Sequence, residues 1–287
     1  MLGAIEAGGT KFVCAVSDHD LNIVEKVTIP TTSPEETFEA VFEFFDRFEL
    51  DAIGIGSFGP IDINEASETF GYITSTPKRL WQNVDFLGVF KERYDIPIGW
   101  NTDVNAAALG ESTLGAAKDK SSCIYLTVGT GIGGGAIVNG EPLTGYGHPE
   151  MGHIYVPKHE KDVDFKGVCD FHGDCLEGIA AGPSIEARYG IRAENLPSDH
   201  EAWEIEAHYL AHAALSYTMT LSPECIILGG GVMHQSHLFE MVHAKFEELL
   251  GEYLELPPLD EYIIPTGLGS ESGILGSLML GKNALAS

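Results

Sequence analysis

Long hydrophobic runs are missing from this sequence. The longest apolar stretches, such as residues 211–215 and 225–228, fall far short of the roughly 18 residues that would span a bilayer. No membrane partner is expected. The start, Met1-Leu2-Gly3-Ala4-Ile5, has neither the basic region nor the cleavage site of a secretory leader, which makes a cytoplasmic location the expectation. Positive charge is scarce too: 16 Lys and Arg face 43 Asp and Glu, a net charge of −27 that repels nucleic acids and anionic surfaces. A nucleotide bound here must have its phosphates met locally, by backbone N–H groups, helix N-termini and Mg²⁺. Cysteines number only five, and Cys14, Cys123 and Cys225 lie in apolar strand-like runs where a thiol packs as a small hydrophobe. The P-loop pattern is absent as well.

What is present is a chain of 287 residues, 44% apolar, with 34 glycines spread among apolar runs. That length fits two lobes of about 100–200 residues each. Strand-like runs flank Gly8-Gly9-Thr10, and the same design returns around Gly129-Thr130-Gly131-Ile132-Gly133-Gly134, a weak internal duplication. Ser33-Pro34-Glu35-Glu36 forms a capping box ahead of Phe38, Val41, Phe42, Phe45 and Phe48 at helical spacing. Further helices are expected over 106–114, from Pro183 onward, over 201–221 and 239–254, and after residue 273, with strands at 52–60, ending in a turn, 96–100 and 225–228. Strands alternating with helices in both halves give an α/β class. The boundary falls near 115–121, for lobes of 1–118 and 119–287.

Three groups of residues carry chemistry. In the two glycine–threonine turns, glycine admits an anion close to the backbone and threonine adds donors. Either turn alone is also an ordinary hairpin, but two of them, with a third glycine turn at 229–231, point to phosphate binding. Asp103 stands at a strand-to-helix corner, where a carboxylate can take the proton of an attacking hydroxyl or serve as an N-cap worth about 1 kcal/mol. His153, Cys169, His172 and Cys175 supply the donor set of a closed, structural zinc site, with His148 or His159 equally possible in place of His153 on spacing alone. Glu150 and Glu177 flank that loop; as isolated residues they read as solvated glutamates.

Taken together, these segments resemble the ROK sugar kinases, and within them the bacterial fructokinase branch. The resemblance runs through Ile5-Glu6-Ala7-Gly8-Gly9-Thr10-Lys11, Gly59-Pro60-Ile61-Asp62, Asn101-Thr102-Asp103-Val104-Asn105, Gly129-Thr130-Gly131-Ile132-Gly133, His148-Pro149-Glu150-Met151-Gly152-His153, Cys175-Leu176-Glu177-Gly178 and Gly229-Gly230-Gly231-Val232-Met233. It implies a two-lobed actin-like ATPase (ribonuclease H-like) fold with a zinc-binding loop in the second lobe. It also implies ATP and Mg²⁺ as co-reactants, structural Zn²⁺, a hexose substrate and a homodimer. By the same resemblance Gly8, Gly9, Thr10, Lys11, Thr130, Gly131 and Gly133 face the ATP phosphates, while Pro183, Gly230, Gly231, Val232 and Met233 line the nucleotide side. Asp103 becomes the catalytic base. Gly59, Thr102, Asp103, Glu150, His153 and Glu177 contact the sugar, and His153 is selected as zinc ligand over its two alternatives.

The family's glucokinases carry aspartate where Glu6 stands, so a water-mediated Mg²⁺ contact is not implied there. They also carry asparagine where Thr102 stands and a tighter three-cysteine zinc loop. These last two departures follow the fructokinase branch and favour fructose over mannose or glucose. A sugar-sensing repressor, the competing class, requires an N-terminal DNA-binding domain ahead of the turn that begins at Gly8.

Overall fold

The computed structural model describes residues 1–287. By packing, the chain divides into a first unit of Met1–Gly115, Glu141–Pro149 and Leu268–Ser287 and a second of Ala116–Gly140 and Glu150–Gly267.

In the first unit the strands lie in the order Ile23–Pro30, Lys11–Ser17, Leu2–Ala7, Ala52–Ser57, Ile98–Thr102. Leu2–Ala7 pairs antiparallel with Lys11–Ser17 across the first glycine turn and parallel with Ala52–Ser57. Alternation along the strand sends Ile5 and Ala7 to one face and Leu2 and Ala4 to the other. The Ile5 face packs on an aromatic cluster of Phe12, Phe38, Trp81, Phe86 and Phe90, whose neighbouring rings stand 4.8–6.3 Å apart. Pairs of this kind contribute about 0.5–1.5 kcal/mol each beyond area burial. Phe38 comes from the helix Pro34–Phe45, whose N-cap Ser33 accepts from the Glu36 N–H at 3.3 Å, the first half of the expected capping box.

The Leu2 face is covered by the last helix, Ser272–Ala286, which the chain brings back from its far end. Residue 118 divides the sequence in order; in packing, this helix joins the first unit. Its backbone approaches so closely that a Cβ on Gly54 would stand 1.8 Å from the Ser277 carbonyl oxygen. Glycine is therefore required in the middle of that buried strand. The helix Asp103–Thr113 is held against the same element, with Ser272 Oγ donating to buried Glu111 Oε1 at 2.6 Å.

In the second unit the order is Ile132–Val138, Cys123–Val128, Ile226–Gly229, Ile263–Pro265, with the first pair antiparallel and the rest parallel. The helix Ala202–Leu221 buries Trp203, Tyr209 and Tyr217, each of whose polar atoms finds a carbonyl or carboxylate. The helix expected over 239–254 runs His237–Leu250, ended by Gly251 at φ 58°, a conformation glycine adopts without strain. Cys14, Cys123 and Cys225 are buried and form no disulfide.

Candidate active site and metal centre

Within the first unit, the first glycine turn is closed by the Gly8 N–H donating to the Lys11 carbonyl at 3.0 Å. Thr31 braces it from the side, its Oγ1 donating to Gly8 O at 2.8 Å and its N–H to Thr10 O at 3.0 Å. Burial pushes the Glu6 carboxyl, at the end of the preceding strand, up to about 7, with Lys11 pulling it back. A Cβ at Gly9 would meet Lys78 Cε at 2.6 Å, so the Lys78 side chain lies across this turn. Sequence reasoning missed both Thr31 and Lys78.

Asp103 is the first residue of its helix, and the cap is Thr102, whose Oγ1 accepts from the Asn105 N–H at 3.1 Å. The N-cap alternative for Asp103 is thereby corrected. Asp103 Oδ1 accepts from the Val104 N–H at 2.9 Å, which orients the carboxylate at the helix start. Beneath it, Asn101 Oδ1 accepts from the Thr102 N–H and from buried Asn105 Nδ2 at 2.9 and 2.8 Å, locking the strand-to-helix corner. The Gly59-Pro60 bond is cis, and His148 Nε2 accepts from the Ile61 N–H at 3.1 Å. His148 thus engages the loop after Gly59.

In the second unit, three of the sequence-predicted nucleotide segments converge. Gly182, next to Pro183, donates from its N–H to the Gly129 carbonyl at 2.8 Å. Gly230, at φ 89°, lies against Val128, with buried Val232 and Met233 following. Thr130 and Gly131 lie in the turn between the strands Cys123–Val128 and Ile132–Val138, and Gly133 is the second residue of the latter strand. Glu177 joins them: its Oε2 accepts from the Ile132 N–H at 3.0 Å, the backbone of the turn greeting an anion. The Glu150–His153 segment presses on the same strand, because a Cβ on Gly152 would stand 1.6 Å from the Ile132 carbonyl oxygen.

His153, Cys169, His172 and Cys175 bring one donor atom each within 4.8 Å of one another. The two histidine Nδ1 atoms are 3.3 Å apart, and nitrogen–sulfur separations are 3.4, 3.7 and 3.8 Å. Tetrahedral zinc with bonds of about 2.0–2.1 Å to nitrogen and about 2.3 Å to sulfur needs edges of about 3.3 Å and about 3.6 Å. The donors fit that ion. Reciprocal backbone bonds between Cys169 and Gly173 make the knuckle, and Cys175 opens the short helix Leu176–Ala180. Burial pushes the Cys175 thiol up to about 11, so metal binding must displace its proton. His148 and His159 lie outside the cluster; His159 Nδ1 accepts from the Lys161 N–H at 3.2 Å. The other ring nitrogen of His153 lies 4.0 Å from Glu150 Oε2.

The sequence model of the ROK family matches residues 2–284, a span that takes in both glycine turns, Asp103 and the Cys/His knuckle. The chain belongs to the ROK family. It is 50% identical to the fructokinase of Streptococcus mutans, over 100% of this chain and 99% of that protein. Identity to the fructokinase of Lactococcus lactis subsp. cremoris is also 50%, over 97% and 96% of the two chains. The ROK hexokinase from Thermus thermophilus superposes with a TM-score of 0.80 at 28% identity, covering 98% of this chain and 97% of that one. The fold is the α/β, actin-like ATPase fold of ROK kinases. No helix is long and apolar enough to cross a membrane.

Proposed function

We propose that this ROK protein transfers the γ-phosphoryl group of ATP to O6 of fructose, giving fructose 6-phosphate and ADP. The observation that carries the reading is its 50% identity, over nearly the full length, to proteins named fructokinases. Asp103 takes the O6 proton as the oxygen attacks the γ-phosphorus, and the breaking P–O bond leaves its electrons on ADP. Gly8, Gly9, Thr10 and Lys11 in the N-terminal lobe (1–118), and Thr130, Gly131 and Gly133 in the C-terminal lobe (119–287), hold the phosphates. Pro183 and Gly230, Gly231, Val232 and Met233 hold the nucleoside. Mg²⁺, when bound with ATP, would neutralise part of the phosphate charge.

Gly59, Thr102, Glu150, His153 and Glu177 orient the sugar, which supplies much of the rate by removing its freedom. His153, Cys169, His172 and Cys175 hold a structural zinc that fixes the loop carrying these groups. The braced aspartate at the helix start and the tetrahedral donor spacing support these roles. Cytoplasmic location and a homodimer belong to the same reading. Its test is ADP release with fructose, mannose and glucose. Turnover is expected with fructose above the other two, and absence of turnover with every hexose overturns it.

A further inference from the structure

Lys78 closes the long loop that follows Pro60, and its side chain lies over the first glycine turn: a Cβ at Gly9 would stand 2.6 Å from its Cε and 3.6 Å from its Nζ. Three contacts build this placement. The Lys78 N–H donates to Oγ1 of buried Thr76 at 3.4 Å, and its carbonyl accepts from the Trp81 N–H at 2.8 Å. Trp81 is itself buried among Phe12, Phe38 and Phe58, with Nε1 donating to the Thr32 carbonyl at 2.9 Å. The backbone beneath the ammonium is therefore fixed by the aromatic core. In a chain with 16 basic residues, many are bound to carboxylates, as in Lys26–Glu271, Lys158–Asp174, Lys161–Glu204 and Arg188–Asp162. Lys78 takes part in none of these pairs and stands exposed at a turn whose backbone suits an anion.

We propose that Lys78 is a further catalytic residue, whose ammonium contacts the phosphoryl group in transit. This rests on the reading that the first glycine turn faces the ATP phosphates. As the sugar oxygen forms its bond to the γ-phosphorus, the bond to ADP breaks with its electron pair and the hydroxyl proton passes to Asp103. Lys78 keeps its own proton throughout and offsets the charge on the equatorial oxygens. Such a cation is effective because it is already in place and needs no reorganisation as the charge moves. It also serves a protein whose net charge of −27 opposes the approach of a nucleotide.

The test compares wild type with Lys78→Met, Lys78→Arg, Gly9→Ala and Arg79→Met in the full chain. Two readouts apply: steady-state kinetics with fructose, and equilibrium binding of ADP and of a non-hydrolysable ATP analogue. Lys78→Met should lower kcat about 100-fold with sugar KM within about twofold. It should also reduce the preference for triphosphate over diphosphate about tenfold while leaving ADP affinity in place. Lys78→Arg should recover part of both losses, since it keeps the charge but changes its geometry. Gly9→Ala, whose methyl must displace the lysine, should reproduce part of the Lys78→Met pattern. Arg79→Met makes the same change in net charge and should leave kcat and the triphosphate preference at wild-type values.

Wild-type kcat and triphosphate preference in Lys78→Met, or an equal loss in Arg79→Met, would overturn the assignment while leaving the kinase reading intact. A wild-type protein that phosphorylates no hexose would sink the kinase reading instead. The ratio of triphosphate to diphosphate binding still decides the role of Lys78 in that case.

Discussion

The two glycine turns are alike in sequence and each joins two antiparallel strands, yet the structure lays opposite charges on them. Across the first, at residues 8–10, lies the Lys78 side chain. Into the second, around Gly131, points the carboxylate of Glu177, whose Oε2 would stand 2.6 Å from a Cβ at Gly131. A duplicated motif has thus been given two different tasks by residues that lie far from it in sequence. The first turn shares its unit with Asp103 and Glu6, the second with the Cys/His knuckle and the Glu150–His153 segment. On the proposed reading, charge that reacts lies on one unit and groups that fix geometry lie on the other.

The largest effect tests that division directly. Asp103→Asn keeps the shape and the Val104 contact but removes the base, so kcat should fall about 1,000-fold with ADP affinity unchanged. Steady-state kinetics beside ADP titration checks this. If a second-unit variant such as Glu150→Gln lowered kcat as far with sugar KM unchanged, the division of labour would be wrong.

Next in size is the metal knuckle. Cys175→Ser, or exhaustive chelation, should raise the fructose KM about tenfold or more and lower the melting temperature. The reason is connectivity: Cys175 opens the helix that carries Glu177, and His153 faces Glu150 through its second nitrogen. Metal content by elemental analysis should read one zinc per chain in the wild type. A zinc-free protein with unchanged fructose KM would break the link between knuckle and sugar.

One glutamate in each unit, Glu6 partly buried and Glu206 fully so, extends the contrast to stability. Burial pushes Glu6 up to about 7 and Glu206, on the helix Ala202–Leu221, up to about 8. For an acid whose folded pKa is raised, the unfolded chain gives up its proton first as pH rises. Stability is then greatest below the ordinary value near 4.5, falls through the window up to about 7 or 8, and is flat above. The slope is at most about 1.4 kcal/mol per pH unit for each group. Glu206→Gln should flatten its share, leaving the variant more stable than wild type at pH 8 by a margin that shrinks toward pH 5. Denaturant titration across that range checks it, and a margin that grows toward acid would reverse the assignment.

These contrasts also mark what was legible in the sequence. The Ser33 cap, the hairpins and the Cys/His knuckle are local: a few neighbouring residues and a periodicity determine them, and the structure places them within a residue or two of expectation, save that the strand after the second turn begins at Ile132, inside the expected turn. The choice of His153 needed the family resemblance, because spacing alone is equally satisfied by His148 and His159. Three-dimensional closeness was out of reach. Nothing in Thr76-Pro77-Lys78 announces that it will cross a turn some seventy residues earlier, since that crossing is arranged by Trp81 entering a core of distant aromatics. The same holds for the last helix, whose glycine-tight seat on Ala52–Ser57 is visible only once the sheet exists.

The smallest expected effect bears most directly on the two turns. Glu177 holds the second turn through the Ile132 N–H, and it places a negative charge beside backbone that the kinase reading assigns to phosphate. Glu177→Gln leaves an amide oxygen to accept the same N–H while removing the charge. A unit charge a few ångströms from a phosphate in a solvent-exposed setting contributes on the order of 1 kcal/mol. ADP should therefore bind about threefold to fivefold tighter in the variant, and the gain should shrink as salt is raised. Fructose KM should rise in the same protein, because a charged acceptor for the sugar hydroxyls is lost. Isothermal titration at two ionic strengths, beside steady-state kinetics, reads both. Weaker ADP binding in Glu177→Gln would mean that the carboxylate braces the second turn more than it repels phosphate. The two turns would then differ in rigidity and not in charge.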